Sequence, residues 1–220
     1  MFQSSMDFKT DLRERLSRDL PGASSQMKMV PETRRREIKD GPDAGNARKA
    51  AVLICLFPDE VGDIRLVLIR RNEYDGVHSG QISFPGGRFE KEDTDMIYTA
   101  LREAEEETNI LIRDVEVLGE ITPVYIPPSN FFVSPVVGWT KKRPDLIPDP
   151  SEVSEILDIP LSELLDPNNI QQRNIPHKEF NVIDVPCFII QGHIVWGATA
   201  MMLMEFVDIL GAGYRVPGTG

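Results

Sequence analysis

Hydrophobic residues recur at every fourth position from Phe8 through Leu12 and Leu16 to Leu20, with charged residues between them. That spacing puts them on one helical face and predicts an amphipathic helix over Met6–Leu20, ended by Pro21-Gly22. Residues 23–49 have no period; Ser, Pro, Gly and charges mix, and Arg34-Arg35-Arg36 lies among them. The stretch reads as a solvated connector, or as a basic lip facing an anionic ligand. From Ala50 the pattern changes. Ala51–Phe57 is an apolar, β-branched run and Ile64–Arg70 a second one, with Pro58-Asp59-Glu60 and Gly62-Asp63 between them, which predicts a β-hairpin. Gln81–Phe84 is a short strand running into Pro85-Gly86-Gly87. Thr94–Asn109 has the clearest helical period, with Ile97, Leu101, Ala104 and Thr108 on the packing face.

Further strands are expected at Val115–Thr122, Phe132–Trp139, Val153–Ile159, Val182–Ile190 and His193–Trp196. A short helix is expected at Leu161–Leu165 and an apolar one at Thr199–Leu210. Strands and helices mix without regular βαβ alternation, which argues for an α/β (α+β) fold, a mixed sheet with helices packed on it. The chain divides into an N-terminal helix and connector (1–49), a main domain (50–212) and a tail (213–220).

Composition excludes several classes. At 41% hydrophobic and 27% charged, the chain is an ordinary globular protein. No apolar run approaches the roughly 18 residues of a membrane helix. Met1–Leu20 is charged and has no signal-peptide core, so a cytoplasmic location is expected. Cys55 and Cys187 lie far apart in apolar runs and build neither a disulfide framework nor a zinc cluster. With 24 Lys+Arg against 35 Asp+Glu, the net charge of −11 has the wrong sign for nucleic acid. An anionic ligand would need the repulsion cancelled, and a divalent ion on clustered carboxylates does that.

The predicted helix carries such a cluster. Glu103, Glu106 and Glu107 are neighbours at helical spacing, and Arg102 stands four residues before Glu106. Alone, three glutamates read first as a solvated acidic face, and second as an oxygen site for Mg²⁺ or Mn²⁺. Phe84-Pro85-Gly86-Gly87 shifts the balance, because adjacent glycines let backbone approach a ligand closely.

The combination resembles the Nudix hydrolases, whose motif is G-x5-E-x7-R-E-U-x-E-E-x-G-U, with U bulky and aliphatic. Gly87 opens it, and Arg102-Glu103-Ala104-Glu105-Glu106-Glu107-Thr108-Asn109-Ile110 closes it. One extra residue lies between Gly87 and Arg102, leaving the mid-motif carboxylate open between Glu92 and Asp93. Ala104 is small for its place, and Asn109 replaces the final glycine, a change that keeps access to the left-handed conformation. Leu68-Ile69-Arg70-Arg71-Asn72, His78-Ser79-Gly80-Gln81-Ile82-Ser83-Phe84-Pro85-Gly86-Gly87 and Trp196-Gly197-Ala198-Thr199-Ala200 look like the coenzyme A pyrophosphatase subgroup. Ile69 and Asn72 depart from its strand pattern, which usually has a small polar residue and Ser.

The resemblance implies a mixed β-sheet sandwiched between α-helices. It also implies metal-dependent hydrolysis of coenzyme A, or acyl-coenzyme A, to 3′,5′-ADP and 4′-phosphopantetheine or its acylated form. Glu103, Glu106 and Glu107 would hold Mg²⁺ or Mn²⁺, with Glu103, Glu106 and Arg102 catalytic. Arg70, His78, Gly86 and Gly87 would bind substrate, with Arg71 the alternative to Arg70 on an alternating strand. Glu152 and Glu155, beside Asp149-Pro150-Ser151, are candidates for the general base. Arg34–Arg36 or Arg70 could contact a 3′-phosphate, one of Tyr125, Phe131 and Phe132 could stack on adenine, and Met201-Met202-Leu203-Met204 reads as core or as a pantetheine groove. Two alternatives stand beside this reading: a diphosphatase for ADP-ribose, NADH or another nucleoside diphosphate derivative, and a non-catalytic nucleotide-binding module. The partner is a small nucleotide, with no nucleic acid or membrane. The N-terminal helix can pack on its own domain or on a second copy, so a homodimer stays open.

Overall fold

The computed structural model describes residues 5–32, 35, 47–72, 80–176 and 181–211. The helices among them are α1 (Ser5–Leu16), α2 (Ala23–Gln26), α3 (Met96–Thr108), α4 (Leu161–Leu165) and α5 (Gly197–Leu210). The first strands are β1 (Arg48–Pro58), β2 (Ile64–Arg71), β3 (Ile82–Ser83), β4 (Gly86–Arg88), β5 (Glu116–Glu120) and β6 (Val124–Ile126). They are followed by β7 (Phe131–Trp139), β8 (Val153–Pro160), β9 (Ile170–Pro176), β10 (Asn181–Ile190) and β11 (His193–Val195).

Strand β1 is the centre of the molecule and is buried continuously from Ala50 to Phe57. An unbroken apolar run suits a strand covered on both faces, since alternate side chains leave opposite sides. Ala51, Leu53, Cys55 and Phe57 pack with Ala100, Leu101 and Ala104 of α3. Val52, Ile54 and Leu56 enter a larger cluster with Phe8, Leu12 and Leu16 of α1 and Leu203, Phe206 and Leu210 of α5. The result is the expected class, a mixed sheet with helices on both faces.

The sheet's register makes room for the site. Long strands run in the order β8, β2, β1, β7, with β7 parallel to β1 and the other neighbours antiparallel. Strands β1 and β2 pair only at their hairpin end, Leu56↔Leu66 to Pro58↔Ile64. Beyond it, β3 pairs with β2 at Ile69↔Ser83, and β4 pairs with β1 at Val52↔Gly86 and Ala50↔Arg88. Phe84-Pro85-Gly86-Gly87 therefore lies inside the sheet, where the Leu53 N–H donates to the Pro85 carbonyl over 2.9 Å. Strands β5 and β6 pair with the other edge of β7, and β9 to β11 form a separate three-stranded sheet.

The N-terminal region differs from expectation. Helix α1 packs on its own chain, inside the same hydrophobic cluster as β1, so no separate core begins at residue 50. Residues 23–32 are not a solvated connector: Ser25, Gln26, Met29 and Val30 are buried. Fully buried Glu205 of α5 explains how a polar stretch can sit there. Its carboxylate accepts from the Gly22 and Thr122 N–H groups at 3.2 Å each and from Gln26 Nε2 at 2.7 Å. Glu205→Ala strands these donors and is expected to cost roughly 3 kcal/mol, seen as a lower urea midpoint. An unchanged midpoint would mean that the network contributes nothing. Strands β6 and β9 were not expected; β9 reads Ile-Gln-Gln-Arg-Asn-Ile-Pro, too polar to show alternation. No helix among the described residues is long and apolar enough to cross a membrane.

Candidate active site

Helix α3 begins where the Asp95 side chain accepts the Tyr98 N–H at 2.8 Å, and it ends at Asn109 with φ 61°. Both caps are local sequence effects, a carboxylate on a free N–H and an Asn in the left-handed region. Its buried face carries Ala100, Leu101, Ala104 and Thr108 onto the sheet, and Glu107 goes with them at 2% exposure. Gly86 N–H donates to Glu107 Oε2 at 2.8 Å, which joins the helix to the glycine strand. Glu107 Oε1 lies 3.1 Å from Arg71 Nη1, yet no donor is aligned to hydrogen-bond it. Burial pushes the Glu107 carboxyl up to about 7, with Arg71 and the Gly86 N–H pulling the other way. Glu103 is also raised, first by burial, and the Arg102 guanidinium opposes the rise.

These groups border an open cleft of about 730 Å³. One corner is polar, with Gly86, Gly87, Glu103, Glu107, Glu152 and Arg71. The lining also includes an apolar set, Met29, Val30, Val185, Trp196, Met201 and Met202. The N-terminal segment thus completes the cleft wall, and Met201 and Met202 serve both core and cleft. Thr199 Oγ1 donates to the Ile82 carbonyl at 3.1 Å, fixing the start of α5 against β3.

The three helix glutamates are not placed alike. At about 100° per residue, positions 103 and 107 lie about 40° apart around the helix, while 106 lies about 60° to the other side of 103 and about 100° from 107. The Glu106 side chain is 58% exposed and pairs with Arg102 Nη1 at 3.0 Å. It does not border the cleft, whereas Glu152 does, and the Glu152 charge acts on both Glu103 and Glu107. The carboxylates at this corner are therefore Glu103, Glu107 and Glu152, while Glu90 also lines the cleft. Glu155 faces elsewhere: its Oε2 lies 3.6 Å from His193 Nε2.

Arg102, expected among the catalytic groups, is turned onto neighbouring protein groups. Its donors are spent on Asp93 at 2.8 and 3.1 Å, Glu103 at 3.0 Å, Glu106 at 3.0 Å and the Arg88 carbonyl at 3.2 Å. Asp93 fills the open mid-motif place. It is buried, also accepts from the Glu90 N–H and Thr99 Oγ1, and is held down to about 2, chiefly by Arg102. Glu92 is exposed. Five residues separate Gly87 from Asp93, so the extra residue falls between Asp93 and Arg102.

Arg71, not Arg70, reaches the cleft, and its Nη2 also donates to the Gly86 carbonyl at 2.7 Å. Strand alternation turns neighbouring side chains apart, and the β2–β8 register shifts between these two residues. Alternation was readable beforehand, but its phase was not. His78, Arg34 and Arg36 lie outside the described residues, as does the tail 213–220.

The family model for the NUDIX domain matches residues 47–180. The chain belongs to the Nudix hydrolase family. It is 33% identical over 174 residues to Nudix hydrolase 22, chloroplastic, of Arabidopsis thaliana, covering 74% of this chain and 55% of that protein. It is 32% identical over 169 residues to the mitochondrial coenzyme A diphosphatase NUDT8 of Homo sapiens, covering 76% of this chain and 72% of that protein. The chain thus spans only about half of the plant relative's length. The crystal structure of RenU, a Nudix hydrolase of M. smegmatis, shares the fold at a TM-score of 0.51 and 14% identity, covering 77% of this chain and 89% of that one.

Nudix hydrolases generally need a divalent ion. Among the described residues no three His, Cys, Asp or Glu side chains stand ready as a cage, because Arg102 draws Glu103 and Glu106 toward itself. The donor chemistry nonetheless fits: Glu107 Oε1 is a buried oxygen without a hydrogen-bond donor, with further carboxylates at the same corner. A hard cation supplies what such an oxygen lacks.

Proposed function

We propose that this Nudix protein hydrolyses the diphosphate of coenzyme A and its acyl derivatives to 3′,5′-ADP and 4′-phosphopantetheine or its acylated form. The observation that carries this reading is the continuity of the cleft. One and the same cleft is lined by polar groups suited to a charged diphosphate and by apolar Met29, Val30, Trp196, Met201 and Met202. A substrate with one nucleotide half and one long, weakly polar half matches that division. The residues 78–87 and 196–200 that resemble the coenzyme A subgroup, and the similarity to human NUDT8, support the same choice.

Glu103 and Glu107 would hold Mg²⁺ or Mn²⁺, which when bound offsets phosphate charge and acidifies water. The chain's own groups do the rest. Gly86 and Gly87 let the diphosphate lie against backbone, and Arg71 places a cation at the same corner. In the reaction a water oxygen bonds to one phosphorus, the bridging P–O bond breaks, and the other phosphate leaves with the bridging oxygen. Glu152 takes the water's proton. Glu152→Gln is then expected to lower kcat by about 10²-fold or more, within the range of a lost general base. Glu155→Gln should stay near wild type. Equal losses in the two variants would remove Glu152 from this role.

Product analysis tests the substrate. Coenzyme A, NADH and ADP-ribose are incubated with Mg²⁺ or Mn²⁺ and the products are separated. Release of 3′,5′-ADP from coenzyme A at the highest kcat/KM is expected. Coenzyme A left intact while ADP-ribose is cleaved rejects the proposal.

A further inference from the structure

The protein carries a large negative charge, yet among the described residues two arginines, Arg88 of the cleft lining and Arg48 beside it on the Phe131 ring, have no acidic partner. Arg48 and Arg88 both lie over the Phe131 ring, with guanidinium carbons 4.2 and 5.4 Å from its centroid. Arg48 Nη2 also donates to the Ser129 carbonyl. Among the described residues neither guanidinium forms an ion pair, and Arg88 makes no side-chain hydrogen bond. Glu90 borders the same rim but pairs with neither. Stacking on an aromatic face occupies the flat side of a guanidinium and leaves its edge donors available, the arrangement that suits a phosphate.

The sheet register explains why these residues meet. Phe131 of β7 is opposite Arg48 of β1, and Arg88 of β4 is opposite Ala50. Positions 48 and 50 share a face, so three adjacent strands deliver Arg88, Arg48 and Phe131 to one side of the sheet. Arg88 also lies two residues beyond Gly86 on the same strand and face, about 7 Å away at the usual strand rise. The span of one ribose between its 5′-phosphate and a second phosphate on the ring is of the same order.

We infer that Arg48 and Arg88, stacked on Phe131, form a subsite for a phosphomonoester on the ribose of the substrate's nucleotide half, separate from the diphosphate that is cleaved. This rests on the coenzyme A reading of the cleft and assigns its 3′-phosphate to a place that sequence alone gave to Arg34–Arg36 or Arg70. A 2′-phosphate has the same chemistry.

The test compares substrates that differ by that one group: coenzyme A against 3′-dephospho-coenzyme A, and NADPH against NADH. Wild type, Arg88→Gln, Arg48→Gln and Arg88→Lys are assayed, and calorimetry compares 3′,5′-ADP with 5′-AMP without turnover. Wild type is expected to favour the phosphorylated member about tenfold, mainly in KM, as for one or two charge-assisted hydrogen bonds. Each Gln variant should bring the ratio toward one, and Arg88→Lys should keep part of it. A preference confined to the coenzyme A pair identifies the 3′-phosphate; one confined to NADPH identifies the 2′-phosphate. A wild-type ratio of one by both turnover and calorimetry, or a ratio that survives both Gln substitutions, overturns the subsite. If neither coenzyme A nor its dephospho form is cleaved, the functional reading fails by itself. The calorimetric ratio and its response to Arg88→Gln then decide the subsite.

Discussion

Glu107→Gln is expected to lower kcat by on the order of 10²- to 10³-fold, the loss typical of a removed charge stabiliser, while the protein remains folded. Gln keeps the volume and the carbonyl that accepts the Gly86 N–H, so the link between helix and glycine strand survives. What disappears is the buried negative charge at Oε1, the oxygen without a hydrogen-bond donor. The pH dependence should change with it. Burial raises the carboxyl from 4.5 to about 7, so the fold favours the neutral form. The stability this lends is fully present below about 4.5 and lost as pH rises through about 7. For metal-free wild type the loss is on the order of 3 kcal/mol at the corresponding shift. A divalent ion requires the charged form, so its affinity should climb toward pH 7 and then level off. Thermal unfolding with chelator at pH 6 and pH 8 measures the first effect. Wild type should melt lower at pH 8, Glu107→Gln should lose much of that drop, and added Mg²⁺ should stabilise wild type far more. Wild-type turnover in the variant would dissolve the assignment of this corner.

Gly86→Ala should destabilise the fold by about 4 kcal/mol or more, at the severe end for one methyl group. Gly86 has φ 151°, and its added Cβ would lie 2.5 Å from Val52 Cα and closer still to the Ala51 carbonyl oxygen. Those are backbone atoms of the central strand and cannot swing aside. Strand β4 would have to leave β1, taking the Gly86 N–H from Glu107 and the Gly86 carbonyl from Arg71. Urea denaturation reads the loss, and activity should vanish with it. Gly87→Ala offers a contrast. There the added methyl would overlap the Glu103 carboxylate, a side chain that can move, so activity should fall while most stability remains. Equal stability of wild type and Gly86→Ala would show that β4 is not held as described.

These two expectations differ in how far the sequence foretold them. The Gly-Gly pair and the glutamate helix were legible because both depend on near neighbours. Helical period selected the packing face, Asp95 and Asn109 are local caps, and a four-residue step brings Glu103 and Glu107 together. The family motif placed both segments in one site. It did not tell that Glu106 leaves the group for Arg102, nor that Arg102 spends its donors on Asp93. Those outcomes depend on where the loop before the helix lies.

By itself the sequence determined the mixed sheet with helices packed on it, because strand-like runs such as Ala51–Phe57 and helical periods follow one another without βαβ alternation, and the Nudix resemblance added the cover on both faces. It also determined the carboxylate helix and the glycine approach, whose spacing is local. Tertiary structure alone decided which arginine of the Arg70–Arg71 pair enters the cleft, that Glu152 joins Glu103 and Glu107 while Glu155 turns to His193, and that residues 23–32 are partly buried, with Met29, Val30 and Pro31 lining the cleft. It also brought Arg48, Arg88 and Phe131 together. Each of these depends on strand register or on a buried partner far along the chain, as Glu205 is for Gly22, and no local period encodes such pairings.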